Sequence, residues 1–501
     1  MRKMRWLCLA AAILMLFSIH ASAQETDGPV YVMAGFDNTQ YRTWSTNQFF
    51  IRMEEWTGVR FEYRQYKSQE EWEKAKAGMT AGGELPDVLF KAMLSSEECI
   101  RLREENVLID LKPYLQEFAP NLWAILQSDE ELMKAITMPD GSIAALPFVN
   151  TLPRQNYIWI NTAWLDKLNL QMPTNAEELK SVLTAFKERD PNRNGRGDEI
   201  PLGFQGPFDL KFLAHAFGLI ANDYNVFVQD GQVRFMPLEE NYKEFVIWCR
   251  DLYESKLLDK NGFIQQSRTV SDSDAAETYG MIITPEITSV FMTDWALKDY
   301  AVMPPLTYNG QQVYRDFSGP LLRGTFAVTT ACKEPEKMIA WVDKLYTEEG
   351  AILANVGKEN VDYVFDGDGT WQMTQSALSS ESFYSALTLI TGGATPPGIL
   401  ATEFERKYGG GGDLVKALEE QEAFAAYVRM PFPYYNLTEE QSGYIAPLQN
   451  AIGFYVDEQL ARWVLGEDEI TDESFAAFET RLNELGLNEF SAFWQDVLDG
   501  N

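Results

Sequence analysis

Arg60-Phe-Glu-Tyr-Arg-Gln-Tyr66, then Ser68-Gln-Glu-Glu71, then Gly82-Gly-Glu-Leu-Pro-Asp-Val-Leu-Phe90 carry the pattern that decides the fold. The first run alternates apolar and polar side chains, as a half-buried strand does. Ser68 with Glu71 reads as a capping box opening a helix that Gly82-Gly83 ends. After the turn signal Leu85-Pro86, Asp87 to Phe90 reads as a core strand. Strand, helix, strand in this order predicts an α/β sheet with helices packed on it. Upstream, Val30 to Ala34 is a short apolar run feeding the polar loop Phe36 to Tyr41. A helical pattern from Asn47 to Trp56 stops at Gly58.

Further along, Ala144 to Val149 and Tyr157 to Asn161 are two extended runs with polar Arg154, Gln155 and Asn156 between them, a place where the chain could cross between two lobes. Thr174 with Glu177 reads as a second capping box. Its helix delivers the chain to Asp190-Pro-Asn-Arg-Asn194-Gly195-Arg-Gly-Asp198-Glu199-Ile-Pro201. Oxygen-bearing side chains at loop positions 1, 3, 5 and 9 with Gly at 6 follow the order in which a loop wraps a hard cation. The EF-hand pattern is broken at position 12, where Pro201 replaces the bidentate Glu. A loop closed by Asp198 and Glu199, with the Arg196 carbonyl as a further ligand, is one reading. A solvated Asn/Asp/Gly turn ending a helix is the other.

Tyr300 to Pro305 is a strand ending in a double Pro. Lys337 to Tyr346 is an amphipathic helix, and Leu437-Thr-Glu-Glu-Gln441 is a start signal for a mostly helical tail.

The chain has 501 residues, 46% hydrophobic, with 13 Trp, 22 Tyr and 30 Phe, enough to build two large cores. A formal charge of −32 opposes nucleic-acid or anionic-lipid binding through a basic face. At the start, Arg2, Lys3 and Arg5 precede an apolar run and Ala21-Ser22-Ala23, the layout of a signal peptide over residues 1–23. Cys8 lacks the preceding apolar run of a lipid-anchored cysteine, so an exported, soluble protein is expected. Cys99, Cys249 and Cys332 then remain, too few and too scattered for a disulfide framework or a CxxC metal site.

These landmarks, in this order, resemble the family 1 extracellular solute-binding proteins, the oligosaccharide-binding subunits of bacterial ABC importers. The resemblance rests on Gly82 to Phe90, Trp159 to Leu168 with Met172-Pro-Thr, the Asp190 loop, Met303 to Leu306, Tyr346 to Ala351 and Arg481 to Leu487. It implies a periplasmic-binding-protein-like fold of two α/β lobes closing by a hinge, with a helical C-terminal region. Applied here, lobe one covers 24–150 and 305–350, and lobe two covers 155–300 and 355–501. It further implies a monomer that takes a carbohydrate ligand and docks on ABC transporter permease subunits. Members resembling the alginate-binding proteins carry a calcium loop at this place. That likeness makes Asp190, Asn192, Asn194, Arg196 (through its carbonyl), Asp198 and Glu199 the ligands of a structural Ca²⁺ in lobe two.

Sugar recognition needs flat apolar faces and convergent polar groups. Candidates at the expected cleft are Asn38, Gln40, Trp44, Arg154, Asn156, Tyr157 and Trp159, with Glu286, Trp295, Arg315 and Trp371 from the second half. Trp159 also alternates like a buried strand residue, and Pro285-Glu286 stands where related proteins often place Trp. The rival class is an exported polysaccharide hydrolase or lyase using paired carboxylates. Among 74 acidic residues some pair at any spacing is expected, so that signal is empty alone. His215, within the apolar run Phe212 to Phe217, reads as a core residue. The sequence shows no HExxH, GxSxG or P-loop pattern. A ligand-loaded sensor docking on a membrane receptor would use the same closing lobes.

Overall fold

A computed structural model describes residues 28–38, 43–128, 130–149, 156–264, 277–285, 287–291, 295–315, 321–365, 371–375, 389, 394–399 and 412–500. Ten strands form the two main sheets. They are β1 (Val30–Phe36), β2 (Arg60–Tyr66), β3 (Val88–Phe90), β4 (Leu146–Val149), β5 (Tyr157–Asn161), β6 (Ile200–Gly203), β7 (Tyr279–Thr284), β8 (Tyr300–Val302), β9 (Leu321–Val328) and β10 (Gly398–Ile399). The helices that matter below are α1 (Gln48–Thr57), α2 (Gln69–Thr80), α3 (Ser96–Glu104), α4 (Ala176–Glu188), α5 (Gly206–Lys211), α6 (Glu240–Glu254), α7 (Glu439–Leu465) and α8 (Leu487–Leu498).

The first sheet has the order β10-β4-β9-β3-β1-β2. β1 runs parallel to both β2 and β3, whereas β9 runs antiparallel to β3 and β4. β1 and β3 approach so closely that a Cβ on Gly35 would lie 1.7 Å from the Phe90 carbonyl oxygen. The helix expected after Ser68 is α2, and the Ser68 hydroxyl accepts from the Glu71 N–H at 3.2 Å. The core on one face of this sheet gathers Met33, Phe49, Val88, Phe90, Trp341 and Leu389.

The second sheet has the order β8-β5-β7-β6. One face packs on a large core that includes Ile158, Phe186, Leu202, Trp248, Trp463 and Trp494. The other face carries Tyr157, Trp159, Tyr300, Tyr314 and Phe424. α7 packs on α5, α6 and α8 and also touches α3 of the first lobe.

Three details differ from the sequence expectation. The cap of α4 is Asn175 rather than Thr174: Asn175 Oδ1 accepts from the Glu178 N–H at 3.0 Å, and the Glu178 carboxylate accepts from the Thr174 N–H at 2.9 Å. Residues 305–315, expected in lobe one, belong with the second sheet, since Leu306 and Tyr314 are buried in its two cores. Conversely, Gly398–Ile399, expected in lobe two, pairs in parallel with β4, and Leu389 lies in the first core. Both lobe differences arise in elements of two or three residues, too short for a local period and placed by their tertiary partners.

Candidate functional site

Ligands of open α/β sheets gather beyond the carboxyl ends of the strands. In the first lobe, β1 runs out into Asp37 and β3 into Lys91. Asp37 is 2% exposed and accepts from Trp44 Nε1 at 3.0 Å and from Lys91 Nζ at 3.1 Å. Burial pulls the Lys91 ammonium below the usual lysine range, and the Asp37 carboxylate opposes that shift. Asn38, the next residue, is exposed.

In the second lobe, Asn156 precedes β5, and Gln205 and Asp209 follow β6. Asp209 is fully buried; its two oxygens accept from Asn156 Nδ2 at 2.9 Å and from the Gln205 N–H at 2.7 Å. Arg315 is 8% exposed and donates to Asp223 at 3.0 Å. Its guanidinium carbon stands 4.9 Å from the Phe212 ring centre and 6.0 Å from that of Phe208, within reach of both for cation–π attraction. Burial lowers Arg315 to about 10, against the pull of Asp223.

Between the two sheets' helices lies a groove of ≈ 580 Å³. Its first-lobe wall is Ser95, Ser96, Glu97 and Arg323, and its second-lobe wall is Asn222, Asp223 and Tyr224. The segment entering α7 supplies Phe432, Tyr434 and Tyr435, and α7 itself adds Ser442, Ala446 and Gln449. Arg323 donates to Ser96 Oγ at 2.9 Å, to the Tyr435 carbonyl at 2.6 Å and to Asn436 Oδ1. The groove therefore joins aromatic surface to hydrogen-bonding groups that are already held in place.

Of the sequence candidates, Asn156 and Arg315 stand in these clusters, and Asn38 adjoins Asp37. Trp44, Tyr157 and Trp159 are 2%, 0% and 0% exposed, so none offers a ring face to a ligand here. Trp44 packs edge-on against Phe90 and Tyr63, and Trp159 Nε1 donates to the Thr284 carbonyl at 2.9 Å. Packing on the sheets claims all three rings. Gln40, Arg154 and Glu286 lie outside the described residues. Trp295 opens a short helix and Trp371 a short strand, but their side chains lie outside the described part. Sequence reasoning passed over Asp37, Lys91, Asp209, Asp223 and Arg323. Its one available signal for the groove was the Pro- and aromatic-rich run Met430-Pro-Phe-Pro-Tyr-Tyr-Asn436.

The Asp190 loop is tied by its own oxygens. Asp190 Oδ1 and Oδ2 accept from the N–H groups of Asn194 and Gly195, both at 3.1 Å. Asn192 Oδ1 also accepts from the Asn194 N–H at 3.1 Å, and Asn194 Oδ1 accepts from the Arg196 N–H at 2.7 Å. Gly195 takes φ +72°, the left-handed turn that position 6 demands. Asn194 Nδ2 donates to Asp198 at 3.0 Å, and Glu199 Oε1 is buried with no hydrogen-bond partner. Burial, with Asp198 and Asp190 nearby, raises the Glu199 carboxyl. Among the described residues no group of three or more His, Cys, Asp or Glu side chains is gathered as a metal centre. A cation here would depend on amide and carbonyl oxygens as well, and the orphaned Glu199 oxygen fits such a role. The loop feeds the start of β6 while Gln205 and Asp209 follow its end, so loop and cleft residues sit at opposite ends of that strand.

Residues 50–353 match the family model for bacterial extracellular solute-binding proteins. The chain belongs to this family. The solute-binding protein is 27% identical over 468 residues to the fructooligosaccharide ABC transporter substrate-binding protein FusA of Streptococcus pneumoniae, covering 89% of this chain and 86% of that one. A solved FusA structure, an EF-hand mutant in complex with fructo-nystose, superposes with a TM-score of 0.68 at 24% identity, over 94% of this chain and 99% of that one. An extracellular solute-binding protein from Bifidobacterium longum subsp. infantis superposes with a TM-score of 0.76 at 21% identity, over 94% and 98% of the two chains. The alginate-binding protein AlgQ2, solved without calcium ion, does so with 0.64 at 22% identity, over 95% and 99%. These likenesses establish the two-lobe solute-binding fold. Among the described residues no helix is long and apolar enough to cross a membrane.

Proposed function

We propose that this solute-binding protein captures a neutral oligosaccharide between its lobes, outside the membrane, and hands it unchanged to the permease subunits of an ABC importer. The observation that carries this reading is the groove, where the half-buried Tyr224, Tyr434 and Tyr435 stand beside Ser96, Asn222, Ser442 and Gln449, with Glu97, Asp223 and Arg323 as the charged groups of the walls. Rings of this kind suit the C–H faces of sugars, and convergent polar groups suit their hydroxyls. Support for a neutral ligand comes from the partners that the nearby cations already have. Lys91 is met by Asp37, Arg315 by Asp223 and Lys211 by Asp457, while Arg323 is held by a hydroxyl, a carbonyl and an amide. A uronate would have to displace one of these partners. The relation to FusA, named for fructooligosaccharides, points the same way.

Closure about the chain crossings between the lobes would sequester the ligand. Asp190, Asn192, Asn194, Asp198 and Glu199, with the Arg196 carbonyl, would hold a structural Ca²⁺ that offsets the repulsion of the clustered carboxylates. The protein acts as a monomer, exported by its signal peptide over residues 1–23.

A thermal-melt screen against neutral and acidic oligosaccharides tests the ligand class. Neutral ladders, fructo-oligosaccharides among them, should raise the melting temperature, and oligouronates should not. Stabilisation by oligouronates alone would reverse the assignment.

A further inference from the structure

We propose that the solvent-facing side of α7 continues the groove as a platform for sugar units that extend beyond it, with Phe454 as the stacking ring. This rests on the carbohydrate reading above and adds a length preference to it.

Of the four residues of α7 that line the groove, Ile445 is buried, and the other three are Ser442, Ala446 and Gln449. Their spacing of four and three places them on one stripe of the helix. The adjoining stripe, one residue further round from Gln449, holds Gly443, Pro447, Asn450, Ala451 and Phe454. All but Phe454 are small or neutral, and all are exposed. Phe454 is 73% exposed, in a region where an apolar ring has no folding reason to face water. Between Glu440 and Asp457 the helix carries no charged side chain, although charged residues make up 23% of the chain. An isolated surface phenylalanine would need no explanation. A phenylalanine in an uncharged stripe that leads out of the ligand groove does.

The polar groups on this stripe fit the same occupant. Pro447 has no N–H, so the Gly443 carbonyl has no helical donor four residues on and presents an acceptor. The Asn450 amide, between Gln449 and Phe454 in sequence, offers a donor and an acceptor. An acceptor, an amide and a flat apolar ring within three turns suit the hydroxyls and the C–H face of a pyranose or furanose. At the far end the Asp457 carboxylate accepts from Lys211 Nζ of α5 at 2.9 Å, which bounds the stripe on the side of Phe208 and Arg315. Up to Phe454 the stripe carries no charge, and the exposed Glu458, one turn further on, marks its end. The neutral chain already seated in the groove meets a continuous track.

Isothermal titration calorimetry on the mature full-length protein, with a fructo-oligosaccharide ladder from short to long, tests the proposal. Phe454→Ala should bind the long members about tenfold more weakly and the shortest binding member as well as wild type does, and Phe454→Trp should restore the long members. An equal loss at every length, or none at any length, would overturn the platform; the second outcome would leave this face to a protein partner. A wild type that binds no neutral sugar would sink the carbohydrate reading itself, a result distinct from a length-independent Phe454 effect. Phe454 is exposed, so the variants should melt as wild type does.

Discussion

Arg323 Nη1 lies 2.6 Å from the Tyr435 carbonyl oxygen and so fastens the first sheet to the chain entering α7. The same guanidinium holds Ser96 at the start of α3 and Asn436, whose Nδ2 donates in turn to the Thr137 carbonyl at 2.9 Å. Burial lowers the Arg323 pKa without any carboxylate among its hydrogen-bond partners. The position of the lobes at the groove therefore depends on a partly buried cation bonded to neutral acceptors. Arg323→Met should destabilise the protein by about 2 kcal/mol in urea unfolding, because several acceptors lose a charged donor together. It should also weaken ligand affinity. An unchanged unfolding midpoint would show that water replaces the guanidinium without loss.

The pair at the end of the first sheet makes a sharper demand. Asp37→Asn leaves the Lys91 ammonium buried beside a neutral amide, and should cost about 3–5 kcal/mol. The double variant Asp37→Asn/Lys91→Met should recover most of that loss. The sign with pH follows from burial. A lysine whose folded pKa is lowered binds its proton less well in the folded state, so in the single variant stability rises with pH through the window below 10.5. A flat profile there would contradict the burial of the Lys91 ammonium.

His215 makes a prediction at the acid end. It is fully buried, its Nδ1 lies 2.7 Å from the Phe212 carbonyl oxygen, and burial lowers its pKa from 6.5 to about 4. The unfolded chain takes up this proton below 6.5 and the folded chain does not until about 4. The stability is therefore whole above pH 6.5 and is lost as pH falls toward 4, by about 3 kcal/mol in total. Compared with wild type by chemical denaturation at pH 7 and pH 4, His215→Gln should lose correspondingly less. Parallel losses in the two proteins would refute the buried neutral ring.

How far the sequence carried the account is visible in particular residues. β1 to β3 and the caps at Ser68 and Thr438 were legible because alternation and capping are local signals that neighbouring residues complete. The cap at Asn175 was missed by one residue, since Thr174 and Asn175 are both good caps and only the fold decides which amide is left open. Gly398–Ile399 and Tyr314–Arg315 had no pattern to read. Trp44 and Tyr157 misled for a different reason: they sit beside polar residues in sequence, yet their rings turn to the sheet faces, as does Trp159 between Ile158 and Ile160. Asp209 and Asp223 were two among 74 acidic residues, and only tertiary partners single them out.

Calcium removal gives a further test. Chelation after verified metal-free preparation should lower the melting temperature, and Asp190→Ala, which also loses the bonds from the Asn194 and Gly195 N–H groups, should melt at or below the metal-free wild type, with calcium giving no rescue. A ligand present at ~100 times its dissociation constant adds ~2.7 kcal/mol, a readable shift. A melt indifferent to calcium in wild type would make the Asp190 loop a self-bonded turn.

Trp159 separates core from ligand roles. Trp159→Phe removes the bond to the Thr284 carbonyl and some buried volume, so it should lower stability by about 1–3 kcal/mol. Once folded, it should bind ligand with unchanged affinity in calorimetry. A selective loss of affinity at unchanged stability would return this ring to the cleft.

The central claim is reversible capture of a neutral oligosaccharide without chemistry. Its most direct test is calorimetric titration of the mature protein with such a ladder, followed by mass spectrometry of the recovered sugar. The account predicts saturable binding and a ligand recovered intact after prolonged incubation. Cleaved sugar, or binding confined to oligouronates, would contradict it.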